Sequence, residues 1–303
     1  MARFAGRDEL FKAAASNDVD FLTSHVQLPS DPASPSSSHA SSASSPGTEL
    51  ASAEGQKTSQ SGKKLDAEDL NALEDEDGRS LLHVACAAGH LQAVECLLRA
   101  GAGFLKADEG GWTPLLSASS AGHLPVVEAL IEAARTRQAS GPAAQADLQP
   151  NREIVKELLE AKTPSGGTAL TTAAAKGHKA VVEALLDAGA EIEATDNYGR
   201  TALSKAVVAS KEAVVEVLMH RGASVQVHEK FTGDNLLHLA VHADLCLLLM
   251  RTDPELRFQK NREGVTPFEA GRAPFLKHVA TLYEEERGEN AEGSATTDLK
   301  ETE

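Results

Sequence analysis

The side chains that could support nucleophilic catalysis are serines and histidines that recur along the chain. Ser80 and Ser204 are candidate nucleophiles, and each would need a histidine as general base. His83 and His238 each follow a leucine, whereas three further histidines each follow a glycine: His90, His123 and His178. A catalytic histidine would be singular, so recurrence predicts that these imidazoles hydrogen-bond turn backbones instead.

Metal and phosphate chemistry have weak support in the sequence. Cys86 and Cys96 are ten residues apart and fall on apolar faces, which predicts small buried side chains and not metal ligands. The GKK stretch at 62–64 resembles part of a phosphate-binding loop, but Gly55 lies two residues too far away for the full motif. We therefore predict a protein that is not an enzyme and that uses no metal or cofactor.

Charged and aromatic side chains cluster around a set of short turns that each contain a glycine. The residue after the glycine is Arg79, Trp112, Gly167 or Arg200 in four of these turns. Arginine and tryptophan are favoured contact residues at protein interfaces. The predicted partner-binding residues are Asp77, Arg79, Glu109, Trp112, Lys176 and Arg200. The alternative interpretation is an ordinary solvated rim.

The turn glycines recur at a nearly constant spacing. They are Gly78, Gly111, Gly166, Gly199, Gly233 and Gly264. Their successive separations are 33, 55, 33, 34 and 31 residues, so the second interval holds one period plus about 22 inserted residues. A period near 33 is that of ankyrin repeats, in which each unit has a turn and two antiparallel helices.

The residue types within one period explain this unit. Helix N-caps are predicted two residues after five of the six turn glycines, at Ser80, Thr113, Thr168, Thr201 and Thr266. Pro114 and Pro267 follow at the first helical position. Helices of about ten residues are unstable alone, so each unit needs neighbours. The predicted fold is an all-α solenoid of about seven helix-turn-helix repeats.

Composition divides the chain into six segments. Residues 29–66 are rich in Ser, Pro, Ala and Gly and are predicted to be disordered, with a serine run that is either a phosphorylation target or a neutral spacer. The segments are 1–28 (first repeat), 29–66 (Ser-rich insert), 67–133 (repeats 2–3), 134–163 (insertion with a short helix), 164–283 (repeats 4–7) and 284–303 (acidic disordered tail).

Charge and cysteine content limit the partners and the compartment. The net charge of −16 argues against a nucleic-acid partner and against an anionic membrane surface. Three cysteines, none of them in a CxxC pair, favour a reducing compartment. No apolar run reaches the length that a membrane-spanning helix needs. We expect a monomeric protein of the cytoplasm or nucleus.

Residues 67–283 as a whole resemble an ankyrin-repeat solenoid. Two stretches are also similar to the gankyrin family of assembly chaperones for the proteasome regulatory particle: DEDGRSLLHVACAAGHLQAVECLLRAGA at 75–102 and KADEGGWTPLLSASSAGHLPVVEALI at 106–131. The count of seven repeats and the short opening repeat, ELFKAAASNDVDFL, fit the same family.

This resemblance implies a partner and a set of contacts. In that family the concave face binds the C-terminal helical domain of one base ATPase, largely through charge pairs. The matching positions here are Asp77, Arg79, Glu109 and Lys176, and Trp112 matches the family's turn tryptophan.

The chain departs from the family pattern in three places. The Ser-rich segment splits the first repeat, a second insertion follows the third repeat, and residues 239–243 lack the family's LxCxE motif. An ankyrin adaptor or scaffold with an unrelated partner is the alternative function.

Overall fold

The computed structural model describes residues 6–28, 64–136, 149–270 and 278–285, and these ranges contain fifteen α-helices. The helices are α1 (Arg7–Ser16), α2 (Val19–His25), α3 (Ala67–Ala72), α4 (Leu81–Ala88), α5 (Leu91–Arg99), α6 (Pro114–Ala121), α7 (Leu124–Thr136), α8 (Gln149–Glu160), α9 (Ala169–Lys176), α10 (Lys179–Asp187), α11 (Ala202–Val208), α12 (Glu212–His220), α13 (Leu236–Leu239), α14 (Ala243–Thr252) and α15 (278–285), with a 3₁₀ turn at Pro254–Arg257.

Most helices belong to two stacked layers. The inner layer contains α1, α4, α6, α9, α11 and α13, and the outer layer contains α2, α5, α7, α10, α12 and α14. Each inner helix packs on the next inner helix and on its outer partner, so one continuous apolar core runs between the layers. The predicted all-α solenoid is confirmed, with six helix pairs and a terminal helix in the ranges described.

Threonine and serine caps start the inner helices as predicted. The hydroxyls of Ser80, Thr113, Thr168 and Thr201 accept hydrogen bonds from backbone N–H groups three residues on, at 3.3–3.4 Å. At Thr266 the described residues 267–270 form a turn in which Ala270 N–H donates to Thr266 O at 2.9 Å; the residues that would continue a helix lie outside the described ranges, so the helix there stays a prediction. There the N–H and hydroxyl of Thr266 donate to Glu269, and Pro267 lies in the turn.

The Ser-rich segment is inserted between two chain ends that meet. Val26 and Leu65 are buried and form a parallel bridge, in which Leu65 N–H donates to His25 O and Gln27 N–H donates to Leu65 O. Asp66 then caps α3. The folded chain therefore resumes at residue 64, before the predicted segment end at 66, because an apolar side chain and a helix cap stand there. Residues 29–63 lie outside the described ranges.

The second insertion contributes a helix to the core. Val155, Leu158 and Leu159 of α8 are buried, and α8 packs on α7 and touches α9. Helix α7 continues to Thr136 and buries Ala134, so it passes the predicted end of the third repeat at 133. Residues 161–163 likewise lead directly into the next turn. The insertion therefore takes the place of the short loop that follows other outer helices.

The C-terminal repeats are irregular. Helix α13 has only four residues because the chain turns extended at Ala240 (φ −71°, ψ 131°). Helix α15 buries Val279 and Tyr283, and Arg257 stacks over the Tyr283 ring at 5.6 Å. Residues 284–285 are helical, so the start of the predicted disordered tail at 284 is wrong, and residues 286–303 lie outside the described ranges. Phe275 and Leu276, whose spacing with Val279 predicts the apolar face of a last helix, lie outside the described ranges.

Candidate protein-binding surface

Six hairpin turns project beside the N-termini of the inner helices and of the last repeat. They comprise residues 75–79, 108–112, 163–167, 196–200, 229–234 and 261–265, and we call this row the turn edge. In each turn the first and last residues pair through a backbone hydrogen bond of 2.8–3.1 Å. In each of the first five turns, the turn glycine immediately precedes the last residue of the turn. Its φ is positive, 70–81°, as a tight turn requires.

The side chain at the first position of a turn closes it. The carboxylates of Asp75, Asp108 and Asp196 accept hydrogen bonds from the backbone N–H of the last turn residue, at 2.8–2.9 Å. Thr163 and Asn261 do the same with their side-chain oxygens, both at 3.1 Å. Burial alone would raise the pKa of Asp75, but hydrogen bonds from Arg79 and from Asp77 N–H outweigh it and leave that pKa lowered.

Hydrogen bonds also join successive turns into a ladder. Glu109 N–H donates to Asp77 O at 3.2 Å, and Lys230 N–H donates to Tyr198 O at 2.8 Å. Equivalent bonds link turn 163–167 to turn 196–200 and turn 229–234 to turn 261–265. The rung between the second and third turns is missing, since Pro164 stands at the donor position and has no N–H.

Three of the predicted partner-binding residues meet at the first two turns. Gly78 has no Cβ, so the Glu109 side chain packs across it, and a Cβ at Gly78 would lie 2.7 Å from Glu109 Cγ. Arg79 lies beside Asp77, with its Nη2 atom 3.0 Å from the Asp77 carboxylate. Asp77 and Glu109 are exposed, and Arg79 is exposed over about half of its side chain (46%).

Trp112 also lies at these turns, but its ring is half-buried against the core. Its carbonyl oxygen pairs with His83 Nε2 at 3.0 Å, which ties the second turn to α4. Burial lowers the pKa of His83 although this hydrogen bond opposes the shift, so the imidazole is held in its neutral, structural form.

The other two predicted residues lie elsewhere. Lys176 is exposed at the C-terminal end of the eight-residue α9, about 12 Å of helix away from the turn edge. Arg200 lies two turns beyond Trp112 and forms an ion pair with Glu229, whose side chain is 7% exposed. The structure therefore brings together Asp77, Arg79, Glu109 and Trp112, and it separates them from Lys176 and Arg200.

The histidines perform the structural role that recurrence predicts. His90, His123 and His178 pair through Nε2 with carbonyl oxygens of the preceding repeat, at Ala15, Ala87 and Ser120 respectively, over 2.8–3.2 Å. His83 and His238 pair in the same way with the following turn. This prediction is confirmed.

The three cysteines are buried in the folded chain. Cys86, Cys96 and Cys246 are free thiols that are 0% exposed. Burial raises the pKa of all three, and that of Cys246 reaches about 12. Over the ranges that the structure describes, His, Cys, Asp and Glu side chains form no group of three or more that could hold a metal ion.

The described helices also lack a membrane-spanning candidate, since none combines the required length with the required hydrophobicity.

Two exposed aromatic residues on the turn edge escaped the sequence-based prediction. Phe231 is 61% exposed and Tyr198 is 49% exposed, and their rings meet edge to face with centroids 6.0 Å apart. The Arg200 guanidinium lies 5.5 Å from the Tyr198 ring, and the Lys230 ammonium lies 5.9 Å from the Phe231 ring. The available signal was their position one or two residues before the turn glycine, where the exposed Asp77 and Glu109 also stand.

The sequence was compared with known families and structures. The profile of a family described as "Ankyrin repeats (3 copies)" matches residues 50–139 and 143–229, which is more than half of the chain. No curated protein matches the sequence. Among solved structures, the crystal structure of the human ASB11 ankyrin repeat domain is similar over 90% of this chain and 96% of its own, with 22% sequence identity and a TM-score of 0.60. At this identity the likeness supports the fold alone.

Proposed function

Since the chain belongs to the ankyrin-repeat family, whose repeats mediate protein–protein interactions, we propose that it is a non-enzymatic chaperone in assembly of the proteasome regulatory particle. Its partner is the C-terminal domain of a base ATPase subunit, and it acts in the cytoplasm or nucleus. The observation that carries this proposal is that Asp77 and Glu109 lie next to each other, on adjacent turns joined by a backbone hydrogen bond, beside Arg79 and Trp112. The resemblance of residues 75–102 and 106–131 to the gankyrin family supplies the identity of the partner.

The electrostatics of the first two turns suit a basic surface. Asp75 and Asp108 are used to close their turns, but Glu76, Asp77 and Glu109 are exposed and point their charge at solvent. Arg79 offsets only part of this charge, because it already bridges two carboxylates. A partner helix that carries lysine or arginine would find complementary charge here on a rigid, ladder-held scaffold.

Charge reversal at this site tests the proposal. Asp77→Lys with Glu109→Lys should weaken binding of a purified base ATPase C-terminal domain by about tenfold or more, since like charges would then face each other. The matched control is Glu128→Lys with Glu216→Lys, which makes the same charge change at exposed positions on outer helices α7 and α12. Equal affinity for both double variants would show that this site does not bind the domain.

Affinity capture of the tagged chain from its own cell extract tests the identity of the partner. Base ATPases recovered without the proteolytic core particle are the expected result. An adaptor or scaffold with an unrelated partner is the second candidate function, and the exposed pair Tyr198 and Phe231 favours it because this pair lies outside the predicted contacts. Other captured proteins without base ATPases would establish that second function instead.

A further inference from the structure

We propose that turns 196–200, 229–234 and 261–265 form a second docking site, which binds an extended acidic protein segment that presents an aromatic or aliphatic side chain. We call this site the aromatic turns. It lies apart from the acidic turns 75–79 and 108–112, and its occupancy does not depend on the ATPase partner proposed above.

The aromatic turns expose apolar surface that a folded chain normally buries. Tyr198 and Phe231 are two of five large hydrophobic side chains that are exposed in the described ranges, and their rings contact each other. Contiguous exposed apolar groups of this kind mark interaction sites more often than isolated ones do. Aromatic rings that pair edge to face also offer a ready cleft for a further apolar side chain.

The two turns that carry the rings are held against each other before any partner arrives. The backbone bond from Lys230 N–H to Tyr198 O fixes the two turns against each other, and Lys230 packs over Gly199. A Cβ at Gly199 would lie 3.1 Å from Lys230 Cβ, so a glycine is needed for this approach. A preorganised surface loses little conformational freedom on binding, and affinity benefits accordingly.

The charges exposed around the rings are mainly positive, although the chain as a whole carries −16. The acids beneath them are buried and paired: Asp196 with Lys205 Nζ at 2.6 Å, and Glu229 with Arg200. Asp234 is buried as well. In these three turns the exposed charged residues are Lys230, Arg262 and Glu263. An anionic group next to an apolar side chain would therefore find a cation beside an aromatic ring.

Protein is the partner class that this surface favours. A nucleic acid would bring a dense row of phosphates against an acidic molecule and would be repelled beyond the immediate site. The acidic turns of a second copy would match the charge, but their aromatic side chain, Trp112, is half-buried. A peptide with one apolar anchor and flanking Asp or Glu matches both features of the aromatic turns.

The test is selection from a library of random peptides on the immobilised full-length protein. Enriched peptides should carry net negative charge and an aromatic or aliphatic residue, and labelled synthetic copies should bind in fluorescence polarisation. Tyr198→Ala with Phe231→Ala should weaken that binding by about tenfold or more, and Lys230→Glu should weaken it and reduce its salt dependence. These side chains are exposed, so circular dichroism and Tm should stay unchanged.

Two controls separate this proposal from its alternatives. Phe258→Ala removes another aromatic residue, 59% exposed but outside the turn edge, and should leave peptide binding unchanged. Asp77→Lys with Glu109→Lys should also leave it unchanged, so loss of the ATPase interaction and loss of peptide binding are distinguishable. Absence of enrichment, basic enriched peptides, or insensitivity to the Tyr198 and Phe231 changes would overturn the proposal. Concentration-dependent dimers that the Tyr198 and Phe231 changes abolish would assign the site to a second copy instead.

Discussion

Arg79 and Arg200 occupy the same place in two turns, one residue after the turn glycine, but their surroundings differ. Arg79 pairs with Asp75 and Asp77, whose side chains are 19% and 70% exposed, so water screens these ion pairs. Arg200 pairs with Glu229, which is nearly buried, and also stacks near Tyr198. The ion pairs of Arg79 are exposed and can be exchanged for contacts with a partner, whereas the ion pair of Arg200 is part of the fold.

We expect the two arginines to differ in their contribution to stability. Arg200→Gln would leave the Glu229 carboxylate buried without its ion pair and should lower the free energy of unfolding by about 1–3 kcal/mol. Arg79→Gln should lower it by less than about 1 kcal/mol, since exposed ion pairs contribute little. Urea denaturation followed by circular dichroism measures both. Equal effects would mean that burial of Glu229 does not govern the strength of this pair.

A residue's structural role can be predicted from the sequence where that role recurs at the same position of successive repeats. The turn histidines recur at one position, so their backbone bonding could be predicted, and the structure shows it at His90, His123 and His178. Tyr198 and Phe231 could not be recognised in this way. Aromatic residues usually belong to a core, and each of these two types occurs at this turn position only once. Their exposure depends on the ladder that presents the turn tips, which is a long-range feature.

Helix α8 shows how an insertion can become part of a solenoid. Ordinary repeats fill the space below their outer helix with a short loop, as Ala102 and Phe104 do after α5. After α7 this space is filled by the apolar face of α8, whose spacing of Val155, Leu158 and Leu159 predicts a helix. The sequence indicated the helix but not its burial, since docking depends on the surface that α7 and α9 present.

Truncation of this apolar face tests whether α8 belongs to the core. Leu158→Ala should lower the free energy of unfolding by about 2–5 kcal/mol, because it leaves a cavity at a side chain that is 1% exposed. Its matched control is Glu157→Ala, the exposed neighbour on the same helix, which should change stability by less than about 0.5 kcal/mol. If Leu158→Ala is as mild as the control, α8 docks too weakly to support the stack.

The positions of most other helices could be predicted from the residues at their two ends. Hydroxyl caps and left-handed glycines define the start and end of α4, α6 and α9, so these helices could be placed from sequence. The shortening of α13 could not, because Ala240, Val241 and His242 contain no glycine or proline that would end a helix. The extended backbone there therefore has no local signal in these residues.

The whole molecule presents two chemically different halves along one edge. The acidic turns 75–79 and 108–112 lie before the rung that Pro164 removes, and the aromatic turns lie after it. The missing rung separates the ladder into two hydrogen-bonded blocks, whereas the helical layers remain continuous through α6, α9 and α10. One solenoid can therefore carry two binding surfaces of different preference at a fixed separation.

The local stability of the stack also differs along its length. A solenoid gains stability from each repeat and from each interface between neighbours, so a repeat with a shortened helix opens more easily. The sixth repeat has a four-residue inner helix, compared with eight residues in the second repeat. Opening of the C-terminal end should therefore precede opening of the N-terminal repeats.

The three buried cysteines can report this order. Cys86 and Cys96 lie in the second repeat and Cys246 lies in the sixth, and a thiol reacts with iodoacetamide as its thiolate. Burial excludes the reagent and raises the pKa of each thiol, so labelling requires local opening. At urea concentrations below the unfolding midpoint, we expect Cys246 to be labelled about tenfold faster or more than Cys86.

Peptide mass spectrometry after quenching gives the rate at each cysteine, and full denaturation supplies the reference in which the three rates converge. Cys96 should follow Cys86, because both thiols become accessible when the same helix pair separates. Equal rates for all three cysteines below the midpoint would mean that the solenoid opens as one cooperative unit. In that event the four-residue α13 would be held by its neighbours as firmly as the longer inner helices are. Packing by α14 and α15 would then have to replace the stability that α13 loses by being one turn shorter.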